Sequence, residues 1–280
     1  MIVVNQEATK TFFLDNQNQF SSETIRAYKL ALSQFFSSCH MNYDEVKARD
    51  IRNWMQEMTD QELKPNSIQL KLAALKSFYR YCMEENRITK NPTQVVKTPQ
   101  KEDSLPYYLT KRQLALLREV AKDNTRNRAI VETLFATGVR ISELLGIRLE
   151  DIKWETRQIW IREGKGSKER FVLFSHECAE RLKNYLELRK MKSDYLFSNP
   201  SGKPITRHIV QLTFRRYSET LGFKVTPHTL RHTFAAYLTE KGMEFTYIQE
   251  LLGHANINST RIYTRLMNQE RKRQYDQYQL

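Results

Sequence analysis

The stretch 157–174, RQIWIREGKGSKERFVLF, decides the fold class of this chain. Its two ends, RQIWIR and RFVLF, are short and rich in β-branched and aromatic residues, which is typical of strands. The turn-rich EGKGSKE between them predicts a β-hairpin. Because helical patterns lie on both sides of this stretch, we expect a mainly α protein with a small β-hairpin or sheet.

Two segments of the first portion have the pattern of amphipathic helices. One is SSETIRAYKLALSQFFSSC at 21–39, whose serines suit an N-cap, and the other is PNSIQLKLAALKSFYRYC at 65–82. Their apolar stripes, which we expect in a core, are Ile25, Tyr28, Leu32, Phe35 and Phe36, and then Ile68, Leu72, Leu75, Phe78 and Cys82. Their opposite faces are either solvated or in contact with DNA phosphates. These faces consist of Thr24, Arg26, Lys29, Asn66, Gln69, Lys71, Lys76 and Arg80.

The length of 280 residues favours two domains over one. Asn91-Pro92 interrupts the helical region, and the polar stretch VKTPQKEDSLPYYLT that follows is bracketed by prolines. We therefore predict a helical domain at 1–98, a linker at 99–108 and a second domain at 109–280.

The net charge of +13 is concentrated in the second domain. The first 98 residues carry 13 Lys and Arg against 11 Asp and Glu, whereas the remaining residues carry 32 against 21. Such a surplus favours a polyanionic partner, most often nucleic acid. A solvated lysine-rich surface is the alternative.

The three cysteines indicate a reducing compartment. Cys39, Cys82 and Cys178 are odd in number, far apart and form no CxxC pair, so we expect neither a disulfide framework nor a zinc knot. The chain has no apolar run long enough for a bilayer, and its start lacks the features of a signal peptide. A cytoplasmic protein without a membrane partner is expected.

Arg140 and Lys165 are the first candidates for chemistry. In ATGVRISELLGI, Gly138 is expected to make a turn, and Arg140 then begins a helix with Glu143 one turn later. This arrangement serves either a surface ion pair or a phosphate clamp. Lys165 lies at the hairpin tip in GKGSKER, where glycines on both sides permit close approach to another molecule, although an exposed turn lysine is the commoner explanation.

The motif HTLRH offers two geometries. His228 and His232 have the i,i+4 spacing of a metal pair, but Thr229 stands where a zincin has its glutamate. The alternative places His228 and Arg231 on one face as an acid/base beside a phosphate clamp. His232 then satisfies the helix or the core.

The stretch LLGHANINSTRIYT at 251–264 brings a histidine and a tyrosine after a helix end. Gly253 fits a C′ position, from which His254 emerges, and Asn258 or Ser259 is suited to cap a helix that contains Tyr263. By itself such a tyrosine is usually core packing.

Taken together, ATGVRISELLGI, GKGSKER, TPHTLRHTFA and LLGHANINSTRIYT resemble the motifs of the tyrosine recombinase family, also called the phage integrase family. The resemblance covers essentially the whole second domain and extends more loosely into the first, which is similar to the family's helical, SAM-like core-binding domain. It implies a C-shaped clamp around duplex DNA, with a mixed α/β catalytic domain.

The resemblance also implies a chemistry without metal or cofactor. Tyr263 would attack a DNA phosphodiester, leaving a 3′-phosphotyrosyl link and a free 5′-hydroxyl. The residues implied as catalytic are Arg140, Lys165, His228, Arg231, His254 and Tyr263, with Glu143 in support. Lys168, in the same loop as Lys165, is a further candidate for DNA contact.

The family implies a dimer on each recombination site and a tetramer in the synapse, with accessory DNA sites or proteins in some systems. This chain is similar to a compact Xer-type or mobile-element recombinase, which would serve either resolution or integration. Two rivals stay open at this stage: a type IB topoisomerase-like nicking-closing enzyme, and a DNA-binding regulator without catalysis.

Overall fold

The computed structural model describes residues 2–99, 106–162, 169–253 and 275–276. The chain divides into two compact units, Met1–Asp103 and Ser104–Leu280, and each unit has a hydrophobic core of its own. Residues 100–105 lie outside the described residues, so the linker predicted at 99–108 stays a prediction.

The first unit is helical throughout its regular structure. As predicted, Ser21 caps the second helix by accepting a hydrogen bond from the backbone N–H of Thr24 at 3.2 Å. The helices are α1 Ile2–Asp15, α2 Ser22–Cys39, α3 Ala48–Asp60 and α4 Pro65–Glu84.

The apolar stripes predicted for α2 and α4 form the core of the first unit. In α4 every member of the stripe is buried, and Phe78 contacts Phe12, Phe36, Tyr43 and Tyr79 through tilted or edge-on ring pairs. In α2 Leu32 and Phe35 are buried, while the remaining members pack against the same core from its rim. The prediction of these stripes is confirmed.

The second unit joins helices to one small sheet. Its helical elements are α5 Lys111–Val120, α6 Thr125–Thr137, α7 Ile141–Gly146, the 3-10 helix Leu149–Asp151, α8 His176–Leu188, α9 Arg207–Leu221, α10 Pro227–Glu240 and α11 Phe245–Leu252. Its strands are β1 Ile152–Lys153, β2 Gln158–Ile161 and β3 Arg170–Leu173.

The sheet is antiparallel in the order β1-β2-β3. The hairpin predicted from 157–174 is present, with Ile159 opposite Val172 and Ile161 opposite Arg170. One edge strand, β1, was not predicted. Alternation along β2 and β3 turns Ile159 and Val172 into the core, while Phe171 stays exposed on the outer face.

The packing of α6, α10 and α11 positions the site. Helix α6 packs between α8 and α10, and α11 packs against both α10 and β3. The end of α6, the start of α7, the start of β3, the body of α10 and the end of α11 therefore meet in one place. No helix among the described residues is long and apolar enough to cross a bilayer.

Candidate active site

Gly138 ends α6 and brings the chain against α10. It adopts a left-handed conformation with φ 62°, and its N–H donates to the carbonyl of Leu134 at 3.1 Å. A Cβ at this position would lie 2.3 Å from Cδ1 of Phe234, so the close approach of the two elements also requires glycine. Arg140 follows two residues later as the N-cap of α7.

Arg140 and Glu143 bind each other reciprocally across the first turn of α7. The backbone N–H of Arg140 donates to Oε2 of Glu143 at 2.8 Å, and Nη1 donates to Oε1 at 2.8 Å. The carboxylate of Glu143 is buried, with 1% of its side chain exposed. The pair therefore joins a buried carboxylate to an arginine that keeps 25% of its side chain exposed, so it differs from an ion pair between two solvated side chains.

Arg170, at the start of β3, also binds Glu143, although it is not among the predicted site residues. Its Nη1 and Nη2 donate to the two carboxylate oxygens at 3.1 and 2.9 Å. Burial by itself raises the pKa of Glu143, but the hydrogen bonds and charge of Arg170, followed by the hydrogen bonds of Arg140, hold that pKa below its ordinary value. Glu143 is thus an anion at neutral pH, and it lies between two guanidinium groups.

Arg231 projects from α10 into the same region and is buried, with 4% of the residue exposed. Its Nη1 donates to the carbonyl of Gly138 at 2.5 Å, and its Nη2 donates to the carbonyl of Leu252 at 2.7 Å. These contacts fix the guanidinium plane between the end of α6 and the end of α11.

Three consecutive carbonyls at the end of α11 each accept a hydrogen bond from an arginine. Nε of Arg170 binds the oxygen of Leu251 at 2.8 Å, Nη2 of Arg231 binds that of Leu252, and Nη2 of Arg140 binds that of Gly253 at 3.1 Å. Last-turn carbonyls lack partners within the helix and carry its negative dipole end, so cationic donors are favourable there. The chain thus leaves α11 from a turn fixed by three guanidinium groups.

His228 lies one turn before Arg231 on α10, as the spacing predicted. It keeps access to solvent, yet partial desolvation lowers its pKa below the ordinary value, and the positive charges of Arg231, Lys224 and Arg140 lower the pKa further. A neutral imidazole beside fixed cations is suited to accept a proton at neutral pH.

His232 packs its ring against that of His228, with centroids 4.2 Å apart in an edge-on arrangement. Among the described residues, no group of three or more His, Cys, Asp and Glu side chains is arranged to hold a metal ion. The pair of histidines alone falls short of the three or four protein ligands typical of a zinc site.

The structure therefore brings together Arg140, Glu143, His228 and Arg231 from the predicted set and adds Arg170. The other predicted catalytic residues, Lys165, His254 and Tyr263, lie outside the described residues, as does Lys168. Gly253 takes the left-handed C-terminal position predicted for it, with φ 63°. The strand alternation could have revealed Arg170, because it shares a face with the buried Val172.

The DNA-contact candidates of the first unit form a different kind of group. Gln69 donates to the carbonyl of Pro99 at 2.7 Å, Lys76 to Oγ1 of Thr98 at 3.0 Å and Lys71 to the side-chain oxygen of Gln34. Thr24 lies in the cap of α2, and Lys29 extends over the ring of Phe13 at 5.4 Å. The side chains of Arg26, Asn66 and Arg80 are exposed.

Comparison with known families finds two matching models. The Phage integrase family model matches residues 107–270, and the model of the N-terminal SAM-like domain of phage integrases matches residues 11–86. The matched ranges lie in both compact units and include every residue of the site described above.

Individual relatives agree with the family models. Tyrosine recombinase XerC of Staphylococcus aureus (strain USA300) is 34% identical over 272 residues, which cover 92% of this chain and 91% of that protein. The XerC of Staphylococcus carnosus (strain TM300) is 33% identical over 277 residues, covering 94% and 93%.

Among solved structures, XerA recombinase is 29% identical with a TM-score of 0.56, covering 98% of this chain and 99% of that one. XerH site-specific recombinase bound to a palindromic difH substrate is 25% identical with a TM-score of 0.72, covering 91% and 80%.

Proposed function

Since this chain belongs to the phage integrase family and is a site-specific tyrosine recombinase that acts on DNA, we propose how its residues cleave and rejoin a strand. The phenol oxygen of Tyr263 attacks a backbone phosphorus and the bond from phosphorus to the 5′-oxygen breaks, which leaves a 3′-phosphotyrosine and a 5′-hydroxyl. Attack by a 5′-hydroxyl of the partner strand reverses the step, so the energy of the phosphodiester is conserved and no ATP is needed.

The observation that carries this proposal is the fixed orientation of Arg140 and Arg231. Their guanidinium groups are held by backbone carbonyls and by Glu143 before any substrate is bound. The transition state gathers negative charge on the non-bridging phosphate oxygens, and donors oriented in advance stabilise that charge without reorganising during the reaction. Arginine keeps its charge at any working pH and offers several N–H groups in one plane.

His228 takes the proton of Tyr263 in this proposal. A phenol has a pKa of about 10 and is a weak nucleophile until a base or positive charge assists it. The lowered pKa of His228 keeps its imidazole neutral, and thus able to accept a proton, throughout the neutral pH range.

Lys165 and His254 complete the set on the strength of the family motifs. Lys165 protonates the departing 5′-oxygen, and His254 donates a hydrogen bond to a phosphate oxygen. His254 directly follows Gly253, whose carbonyl binds Arg140, so the proposed phosphate ligand begins where the arginine contacts end.

The wider assembly follows the same proposal. Two copies bind one recombination site and four form the synapse, with the exposed polar faces of α2 and α4 and with Lys168 contacting phosphates. A cytoplasmic location agrees with the three free cysteines. The reaction serves either resolution of joined replicons or integration and excision of a mobile element, and assays with paired sites on one molecule or on two distinguish these roles.

The decisive experiment uses a nicked suicide duplex that carries the recombination site. Wild-type protein is expected to form a covalent adduct with DNA that survives denaturation, and Tyr263→Phe is expected to form none while still binding the duplex. Binding without any adduct in the wild type would instead support a DNA-binding regulator. Adduct formation and resealing without exchange between two sites would support a nicking-closing enzyme.

A further inference from the structure

We propose that Arg170 is a positioning residue that couples the β-hairpin to Glu143 and to the exit turn, which we define as Leu251–Gly253 at the end of α11. Its catalytic consequence rests on the proposed function, whereas its effect on the exit turn does not. Arg170 acts through Glu143 and the exit turn and is not itself assigned a contact with DNA.

Arg170 uses all three nitrogens of its guanidinium group. Nη1 and Nη2 donate to the two carboxylate oxygens of Glu143, while Nε donates to the carbonyl of Leu251 at 2.8 Å. A lysine has no such planar fork and can supply only a point charge. The contact is also sheltered from water, since 10% of the Arg170 side chain and 1% of the Glu143 side chain are exposed.

Gly253 shows how closely Arg170 lies under the exit turn. A Cβ built on Gly253 would lie 2.8 Å from Nη1 and 2.9 Å from Cζ and Nε of Arg170. Contacts of this length require the neighbour to move, so the turn and the guanidinium group fit together only when residue 253 has no side chain.

Arg170 is linked to Arg140 through the carboxylate of Glu143, which both arginines bind. The same carboxylate receives two hydrogen bonds from Arg170 and two from Arg140, one of the latter from its backbone. Without Arg170, Glu143 would keep a single cationic partner, Arg140, and would lose two of the four hydrogen bonds that hold its carboxylate. The orientation of Arg140, a proposed phosphate ligand, would then be less well defined.

The position of Arg170 in the chain gives this coupling its meaning. It is the first residue of β3, and Lys165 stands between β2 and β3 in the sequence. The exit turn directly precedes His254. One guanidinium group therefore connects the strand that follows the proposed proton donor in the chain with the turn that precedes the proposed phosphate ligand and nucleophile.

The first test measures the exit turn without any catalysis. Backbone hydrogen exchange is followed in the whole protein for a peptide that includes the amide of Gly253, which donates to Gln249 and Glu250. Arg170→Gln is expected to accelerate exchange there by roughly tenfold to a hundredfold, the range that corresponds to losing a charged hydrogen bond. Arg170→Lys is expected to accelerate exchange as well, because it restores charge without the fork.

Arg162→Gln is the matched control. Arg162 follows β2, and it also pairs with a buried carboxylate, donating from Nε to Asp151 at 2.6 Å. Its hydrogen bonds and ion pairs among the described residues go to Asp151 and Glu150 and not to α11, so exchange at the exit turn is expected to stay at the wild-type rate. Unchanged exchange in both Arg170 variants, or equal acceleration in the Arg162 variant, would overturn the proposal.

The second test asks whether the coupling reaches the reaction. With the suicide duplex, Arg170→Gln is expected to slow adduct formation at saturating protein by about tenfold or more and to leave the half-saturating protein concentration unchanged. The same substitution in a Glu143→Gln background is expected to have a much smaller effect, because the two residues act through one contact. Equal effects in both backgrounds would show that Arg170 does not act through Glu143.

The two readouts separate this proposal from the proposed function. If wild-type protein forms no Tyr263 adduct, the proposed catalytic mechanism fails while hydrogen exchange still decides the role of Arg170. If wild type forms the adduct and Arg170→Gln forms it at the same rate with normal exchange, the coupling fails and the mechanism stands.

Discussion

Arg140 and Arg231 in the second unit and Lys71 and Lys76 in the first unit are candidates for binding DNA phosphates, yet the protein holds the two groups in opposite ways. Arg140 and Arg231, like the neighbouring Arg170, bind backbone carbonyls or a buried carboxylate through at least two hydrogen bonds each. Lys71 and Lys76 each bind one side-chain oxygen at the surface of α4, and Lys71 also lies 5.8 Å from the centre of the Trp54 ring.

This difference corresponds to two physical tasks. A site that stabilises a transition state gains most from donors whose orientation is fixed in advance. A surface that follows a DNA backbone needs charge and reach, and a lysine with four rotatable bonds exchanges a weak partner for a phosphate at little cost. We therefore expect substitutions in the first group to change rates and those in the second to change affinity.

Arg231 offers the strongest test of the fixed group. Arg231→Lys keeps the charge but loses the planar fork, and we expect single-turnover cleavage of the suicide duplex to slow by about 10²–10³ while DNA binding persists. Arg189→Lys is the matched control, because Arg189 also donates to backbone carbonyls, those of Ser193, Tyr195 and Leu196. If Arg231→Lys and Arg189→Lys slow cleavage to the same extent, the loss would reflect a structural role of carbonyl-bound arginines and not a role of Arg231 in the reaction.

Gly138 tests whether the fixed group depends on close packing of α6 against α10. Gly138→Ala combines left-handed strain with a clash against Phe234, so we expect the free energy of unfolding in urea to fall by about 2–5 kcal/mol. Gly222→Ala has the same strain at φ 70° without a neighbour within 4 Å, and about 1–2 kcal/mol is expected. Equal decreases in the free energy of unfolding for the two variants would show that the contact with Phe234 does not constrain residue 138.

The lysines of α4 test whether the second group affects DNA affinity without affecting the cleavage rate. For Lys71→Gln combined with Lys76→Gln, we expect weaker DNA binding and a salt dependence whose logarithmic slope is shallower by about 0.9 for each lost phosphate contact. The saturated cleavage rate should remain that of the wild type. Lys10→Gln combined with Lys90→Gln changes the charge equally outside the predicted contact face and should leave the slope nearer to the wild-type value.

His228 supplies the smallest expected effect. Its cleavage role needs the neutral imidazole, so activity should fall as pH drops through a pKa that lies below the ordinary value of about 6.5. Lys224→Gln removes one of the charges that lower this pKa, which should move the acidic limb of the pH–rate profile to higher pH. Lys241→Gln, at the far end of α10, should leave the limb in place, and a shift of equal size would contradict the assignment.

The sequence predicted what depends on local periodicity or local turns. The stripes of α2 and α4, the hairpin, the turn at Gly138 and the C-terminal position of Gly253 all follow from neighbours within a few residues. The short edge strand β1 has two residues and so offers too little pattern to read. The arrangement of the two units about DNA stays a prediction.

Arg170 and Arg231 show what sequence reading could not supply. The functional contacts of Arg170 reach Glu143, 27 positions away, and a carbonyl 81 positions away. Arg231 was predicted as a phosphate clamp, but its burial between Gly138 and Leu252 depends on how α6 and α11 pack on α10. Such contacts arise from tertiary packing between residues far apart in the chain, and sequence spacing alone does not predict them.

The exit turn has a consequence for protein engineering. The three arginines bind main-chain oxygens, and these hydrogen bonds form an anchor for the exit turn. The anchor does not involve the side chains of residues 251 and 252. Within the turn it requires a particular residue type only at Gly253, where a Cβ would collide with Arg170. A chimera that joins this chain to another recombinase immediately after Gly253 would inherit the anchor intact. We therefore expect the junction between residues 253 and 254 to be a suitable point for exchanging the segment that carries the proposed nucleophile.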